Sequence, residues 1–129
     1  MSLQHAVVWL DHLRAVVIDF SRDAQHVHIV PSDTEQRQIH RRSGGDGQRY
    51  GEDRQFFDDI VGAIGDAREV LIVGPGQAKA SFRKDLEKRH PKVSALVVGV
   101  ETLDHPSIDD LLGYARTYFK RVDALKGTA

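Results

Sequence analysis

The chain contains no cysteine. That excludes disulfides, thiolate metal sites, zinc fingers and cysteine nucleophiles. No apolar run approaches the ~20 residues that a membrane span needs, so no membrane partner is expected. The opening Met-Ser-Leu-Gln-His lacks the basic-then-apolar layout of a secretory signal, and the expected location is cytoplasmic. Charge of one sign is missing too. Eighteen Lys and Arg residues against 19 Asp and Glu leave a net charge of -1. A generic polycation for nucleic acid is thereby excluded, whereas a local basic surface is not. There is no internal repeat and no linker that would divide the chain.

What is present suits one globular domain over residues 1–129, with 40% apolar and 29% charged residues. A chain of this length buries roughly two-thirds of its unfolded surface, enough for a real core. His5 to Leu10 and Arg14 to Phe20 are nearly all apolar, as strands covered on both faces are. The short Asp11-His12-Leu13 link makes them a hairpin. Gln25 to Pro31 alternates and ends in proline, the pattern of a half-exposed edge strand. Residues 32–51 have no period and are rich in Arg, Gly, Asp, Gln and Ser, so a long Gly/Arg loop is expected. A loop of about 20 residues is uncommon in a compact domain and is usually functional or disordered.

Helix and strand then alternate. Asp53 to Asp66 places Phe56, Phe57, Ile60, Val61 and Ile64 on one stripe. Glu69 to Val73 is a strand, Gln77 to Arg89 a helix, Val93 to Val100 a strand, and Pro106 to about Leu125 the last helix. Ser107 and Asp110 fit a capping box at its start. The order βββαβαβα predicts an α/β fold with ribonuclease H-like layout: a five-stranded mixed sheet with helices on its faces. In that topology Asp11-His12, the long loop, Gly74-Pro75-Gly76 and Glu101 to His105 gather on one rim. Ligands of open α/β sheets bind at such strand ends.

The segment Arg41-Arg42-Ser43-Gly44-Gly45-Asp46-Gly47-Gln48-Arg49-Tyr50-Gly51 is the most informative. Its glycines release the backbone for close approach to another chain. Arg37, Arg41, Arg42 and Arg49 supply phosphate donors. A flexible solvated loop has the same composition. No Gly-Lys-Ser/Thr follows, so it is not a Walker loop. Gly44-Gly45, then Gln48, then Arg49 with Tyr50, then a helix opening Glu52-Asp53-Arg54, resembles the middle domain of archaeal and eukaryotic peptide-chain release factors. Val70-Leu71-Ile72-Val73-Gly74-Pro75-Gly76-Gln77-Ala78-Lys79 followed by Phe82 continues the likeness. It runs over residues 5 to 123 and extends to bacterial single-chain relatives labelled translational machinery components.

The resemblance implies an RNA-binding protein that associates with the ribosome or tRNA, without full termination activity. Arg41, Arg42, Gly44, Gly45, Gln48 and Arg49 are its implied contacts, with Lys79, Arg83 and Lys84 beside them. The alternative it implies is an enzyme that hydrolyses the peptidyl-tRNA ester, Gln48 placing the catalytic water. In the release factors that glutamine follows the two glycines directly. Here Asp46 and Gly47 intervene. One alignment keeps Gln48 after a two-residue insertion, and another sets Asp46 in its place. Catalysis is sensitive to displacements of about 1 Å. A third reading, from another class, is self-assembly through the exposed edge strand.

Other features have two readings each. Gly74-Pro75-Gly76-Gln77-Ala78-Lys79 opens a helix where a phosphate or carboxylate would bind, or is a tight turn that lets glycine pack closely. The helix carrying Lys79, Arg83, Lys84, Lys88 and Arg89 is an RNA-facing patch or a solvated face. A two-metal nuclease needs several converging carboxylates. Asp11, Glu52, Asp53 and Asp58 are candidates, but strand four ends in glycine and proline. Asp109 and Asp110 suit the helix dipole. His26 and His28 share a strand face and would ligate a metal with His40, or simply face solvent. His105 with Glu101 and Asp104 is a second cluster, or a turn into the last helix. No Ser-His-Asp order and no nucleophile elbow stands out. On balance no metal and no cofactor is assigned.

Overall fold

The computed structural model describes residues 4–32 and 46–125, with side chains for all of these except 46–53. Strands β1 (His5–Leu10), β2 (Arg14–Phe20) and β3 (Gln25–Pro31) form an antiparallel meander. Helix α1 (Asp46–Ile64), strand β4 (Glu69–Gly74), helix α2 (Ala78–Arg89), a short α3 (Pro91–Ser94), β5 (Val97–Thr102) and α4 (Ile108–Leu125) follow. The sheet order is β3-β2-β1-β4-β5, with β4 parallel to β1 and β5 parallel to β4. This is the expected α/β layout, a five-stranded mixed sheet with helices on its faces.

The apolar runs in β1 and β4 follow from burial on both sides. Ala6, Val8, Leu10, Val70 and Ile72 pack under α1 and α2 against Phe56, Phe57, Ile60, Phe82 and Leu86. Val7, Trp9, Leu71 and Val73 face the other way, against Leu111, Leu112, Ala115 and Phe119 of α4. The alternation of β3 reflects its edge position. Val30 is buried while the neighbouring Ile29 stays 56% exposed. No helix among the described residues is long and apolar enough to cross a membrane.

Three differences from the sequence expectation have physical causes. Helix α1 starts at Asp46 rather than Asp53, so residues 46–51 are not loop. Gly47 and Gly51 are poor helix formers. A helix anchored by a buried stripe nevertheless propagates past them, because each added residue gains a hydrogen bond. The run from Val93 to Val100 divides: Val93 and Ser94 belong to α3, and β5 begins at Val97. Pro91 at the first turn of α3 pre-sets a helical φ there. The last helix begins at Ile108, and the hydroxyl oxygen of Ser107 accepts the Asp110 N–H at 3.0 Å.

Candidate functional site

β1, β3, β4 and β5 run in one direction, so Leu10, Pro31, Gly74 and Thr102 end on one rim. The connections at that rim are stitched by local bonds. Asp11 Oδ1 accepts the N–H groups of Leu13 at 2.8 Å and Arg14 at 3.0 Å, which closes the hairpin. The Ser32 hydroxyl donates to the His12 carbonyl at 2.9 Å, and Leu103 N–H donates to the Gly74 carbonyl at 3.0 Å. The Trp9 indole donates to the carbonyls of Leu103 and Asp104, holding the β5–α4 connection over the end of β1. His105 packs on Trp9 with ring centroids 4.9 Å apart. Its Nδ1 lies 2.8 Å from Asp104, and its Nε2 lies 3.5 Å from Asp11. The hydrogen bond to Asp104 is the chief cause that raises the His105 pKa above the usual imidazole value. A pocket of about 220 Å³ opens here, lined by buried Trp9 and Leu111 and by exposed Arg14, His105 and Ile108. It lies over β1 and β2 beside the start of α4, on the β2 side of β1 rather than between β1 and β4.

The residues proposed from sequence distribute unevenly. Arg41, Arg42, Gly44 and Gly45 lie outside the described residues, as does His40. Gln48 and Arg49 lie on the first turn of α1. Lys79 opens α2 and folds back, its Nζ donating to the Gly76 carbonyl at 2.6 Å. That bond supports the tight-turn reading of Gly74 to Lys79. So does Gly74, where a side chain would collide with the Leu10 backbone. Arg83 pairs with Glu87 at 3.7 Å on the open face of α2, and Lys84 and Lys88 are exposed beside it.

Arg89 is different from the other basic residues of α2. It holds Asp85 at 2.7 Å and Asp58 of α1 at 2.7 Å, and donates to the Arg54 carbonyl at 3.2 Å. His90 Nε2 meets Asp58 at 2.9 Å. The hydrogen bond from Arg89 is the chief cause that lowers the Asp58 pKa below the usual carboxylate range. Arg89 therefore joins α1 to α2, its guanidinium engaged within the fold. Its i, i+4 spacing from Asp85 was the legible signal. The same network removes Asp58 from any nuclease set, and Asp11 serves its turn.

His26 and His28 do share a face, with ring centroids 4.4 Å apart. Across the strand pair lies Asp19, whose Oδ2 is 3.6 Å from His28 Nε2. Among the described residues, the groups that bring three potential metal ligands together are elsewhere: His5, Glu69 and Asp123 at the start of β1, and Asp58, Asp85 and His90. Arg89 already fills the second.

In fold the chain is similar to solved translation factors. It aligns over 88% of its length with Pelota from Archaeoglobus fulgidus, at TM-score 0.60 and 14% identity, covering 31% of that protein. An archaeal translation termination factor, aRF1, matches over 97% of the chain at TM-score 0.54 and 11% identity, covering 42% of that protein. Dom34 of S. cerevisiae, a translation termination-like factor involved in RNA quality control pathways and interacting with Hbs1, matches over 96% at TM-score 0.55 and 13% identity, covering 38% of that protein. The chain thus spans well under half the length of each. The sequence matches no protein-family model and no curated protein. What these likenesses share is the fold: the α/β layout is that of release-factor-like proteins.

Proposed function

We propose that this chain is a ribosome- or tRNA-associated binding protein that uses the release-factor middle-domain fold without full termination activity. One observation carries the reading: 88–97% of the chain shares its architecture with Pelota, aRF1 and Dom34, and its glycine pair directly precedes helix α1. Free N–H groups at a helix start suit phosphate. Arg41, Arg42, Gly44, Gly45 and Arg49 would approach the RNA backbone there. Lys79, Arg83 and Lys84 would extend the contact along α2. Phosphate neutralisation of this kind is sequence-tolerant and steeply salt-dependent. Hydrolysis of the peptidyl-tRNA ester is the second reading, with Gln48 on the first turn of α1 placing the water.

The test is co-sedimentation of the purified protein with bacterial ribosomes across a salt series, beside the Arg41→Ala/Arg42→Ala variant. Binding that fades with salt and is lost in the variant is expected. Folded protein that fails to pellet at low salt would remove both readings together. Gln48→Ala separates them: a binder keeps its affinity, whereas a hydrolase keeps affinity and loses turnover. A third reading, assembly through β3, is favoured by the 56% exposure of Ile29 on the sheet edge. Ile29→Lys would then dissociate oligomers seen by sedimentation velocity and leave ribosome binding alone.

A further inference from the structure

His5 opens β1 and Glu69 opens β4, and the parallel register sets them side by side at the sheet edge opposite the rim. Strand alternation puts both on the face of Val7, Trp9, Leu71 and Val73, which α4 covers. Asp123 reaches the same point from the last turn of α4. The His5 Nε2 lies 3.0 Å from Glu69 Oε1 and 3.9 Å from Asp123 Oδ2. All three ligand atoms fall within 4.8 Å of one another. Bonds of about 2.0–2.2 Å in tetrahedral geometry put two ligand atoms of one zinc ion about 3.3–3.5 Å apart. One measured pair lies just inside that separation and the other just outside.

Packing fixes the imidazole in place. Its centroid is 5.5 Å from that of Phe20 and 4.5 Å from that of Phe119. Phe119 and Asp123 are four residues apart on α4 and share a face. The helix that packs the ring thus also brings the carboxylate to its Nε2. An independent observation concerns charge. Asp109 and Asp110 stand in the first turn of α4, where the helix dipole favours them, but the last turn carries Asp123 and no basic residue. A carboxylate there meets the negative end of the dipole. A protonated imidazole offers one positive charge and, from Nε2, one N–H. A divalent ion engages all three donors and offsets both carboxylates.

We propose that His5, Glu69 and Asp123 hold a divalent first-row transition metal of the zinc type, with water completing its shell. An imidazole among carboxylates suits zinc and its neighbours, whereas magnesium and calcium prefer all-oxygen shells. The three side chains are 21%, 18% and 29% exposed, sheltered yet open to an entering ion. The group of Asp58, Asp85 and His90 is a poorer host, because Arg89 already neutralises both of its carboxylates. Around His105 the two ring nitrogens face different carboxylates, Asp104 and Asp11, so the donors do not converge.

The experiment is a Zn²⁺ titration of the untagged full chain by calorimetry, with the imidazole ¹⁵N resonances followed in parallel. One ion per chain is expected, with the His5 ring nitrogens shifting first. The thermal midpoint should rise with free Zn²⁺, because the ion binds only the folded site, and Mg²⁺ should not reproduce the rise. Glu69→Gln and Asp123→Asn keep the side-chain shape and leave the His5 packing intact. Each should weaken binding by more than the roughly 10–100-fold that losing an outer-sphere partner costs, while the metal-free variants still melt cooperatively. His26→Gln/His28→Gln should leave the affinity unchanged. The absence of a saturable site overturns the proposal. So does full affinity in Glu69→Gln or Asp123→Asn, or binding that is lost with His26 and His28 instead.

Discussion

Replacing a Cα hydrogen of Gly74 by a methyl group drives that methyl into the Leu10 carbonyl on β1. Both parties are backbone within paired central strands, so neither side can rotate away. Gly74→Ala should therefore destabilise by about 1–3 kcal/mol, the usual range for overpacking. Two residues on, a methyl group on Gly76 would meet no atom within 4 Å, and the backbone there has no positive φ. Gly76→Ala should be neutral or slightly stabilising through the unfolded state. Urea unfolding of the two variants, read as midpoint shifts at unchanged slope, checks the contrast. Equal effects would mean that the two glycines serve the turn alike and that the β1–β4 approach is not what demands Gly74.

At the scale of elements, α1 and α2 are joined by one guanidinium. Arg89 satisfies Asp85, whose side chain is 2% exposed, and reaches Asp58 across the helix pair. Arg89→Met leaves the Asp85 carboxylate buried without its partner, and a loss of about 3 kcal/mol is expected. Asp85→Asn in the same chain should recover part of it, because a neutral amide is less costly to bury. The pH dependence has a definite sign. The folded-state pKa of Asp58 lies below its ordinary value of 3.8, chiefly through the Arg89 hydrogen bond. Its contribution is present above about pH 4 and is lost as pH falls through the lowered value. The acid limb of the stability profile should be shallower in Arg89→Met. An unchanged limb would show that Asp58 does not draw on Arg89.

The same scale shows what the residues disclosed. The first three strands are bounded in the structure as their patterns imply, because Asp11-His12-Leu13 and Ser21 to Ala24 interrupt long apolar runs. The run from Val93 to Val100 has only Ser94 and Gly99 among its apolar residues, and so short an apolar run does not distinguish helix from strand. The first turns of α1, Asp46 to Asp53, carry Tyr50 as their one large apolar residue, so no apolar period reveals them. At the candidate sites, the pairing of His26 with His28 is legible from spacing alone. Asp19 is not, since its place beside them depends on strand register. The burial of Asp85 is likewise invisible in a helix rich in charge, although its i+4 arginine hints at it.

For the whole molecule, a net charge of -1 decides how the proposed RNA binding should behave. The overall field does not attract a polyanion, so affinity rests on a few local contacts. Each neutralised phosphate contributes about 0.7–0.9 to the slope of log affinity against log salt. Arg41, Arg42, Arg49 and Lys84 together imply a slope of about -3 to -4. Arg41→Ala/Arg42→Ala should reduce its magnitude by about two, and Lys84→Ala by about one. Arg83 is shared with Glu87 at 3.7 Å, and its removal should change the slope less than that of Lys84. Arg89 is engaged by two carboxylates within the fold. A mild variant such as Arg89→Lys should therefore leave the slope unchanged while lowering stability. Filter binding of each variant to tRNA over a salt series measures all of these slopes. A slope that drops with Arg89→Lys, or that ignores Arg41 and Arg42, would move the RNA surface away from the start of α1 and would overturn the contact set.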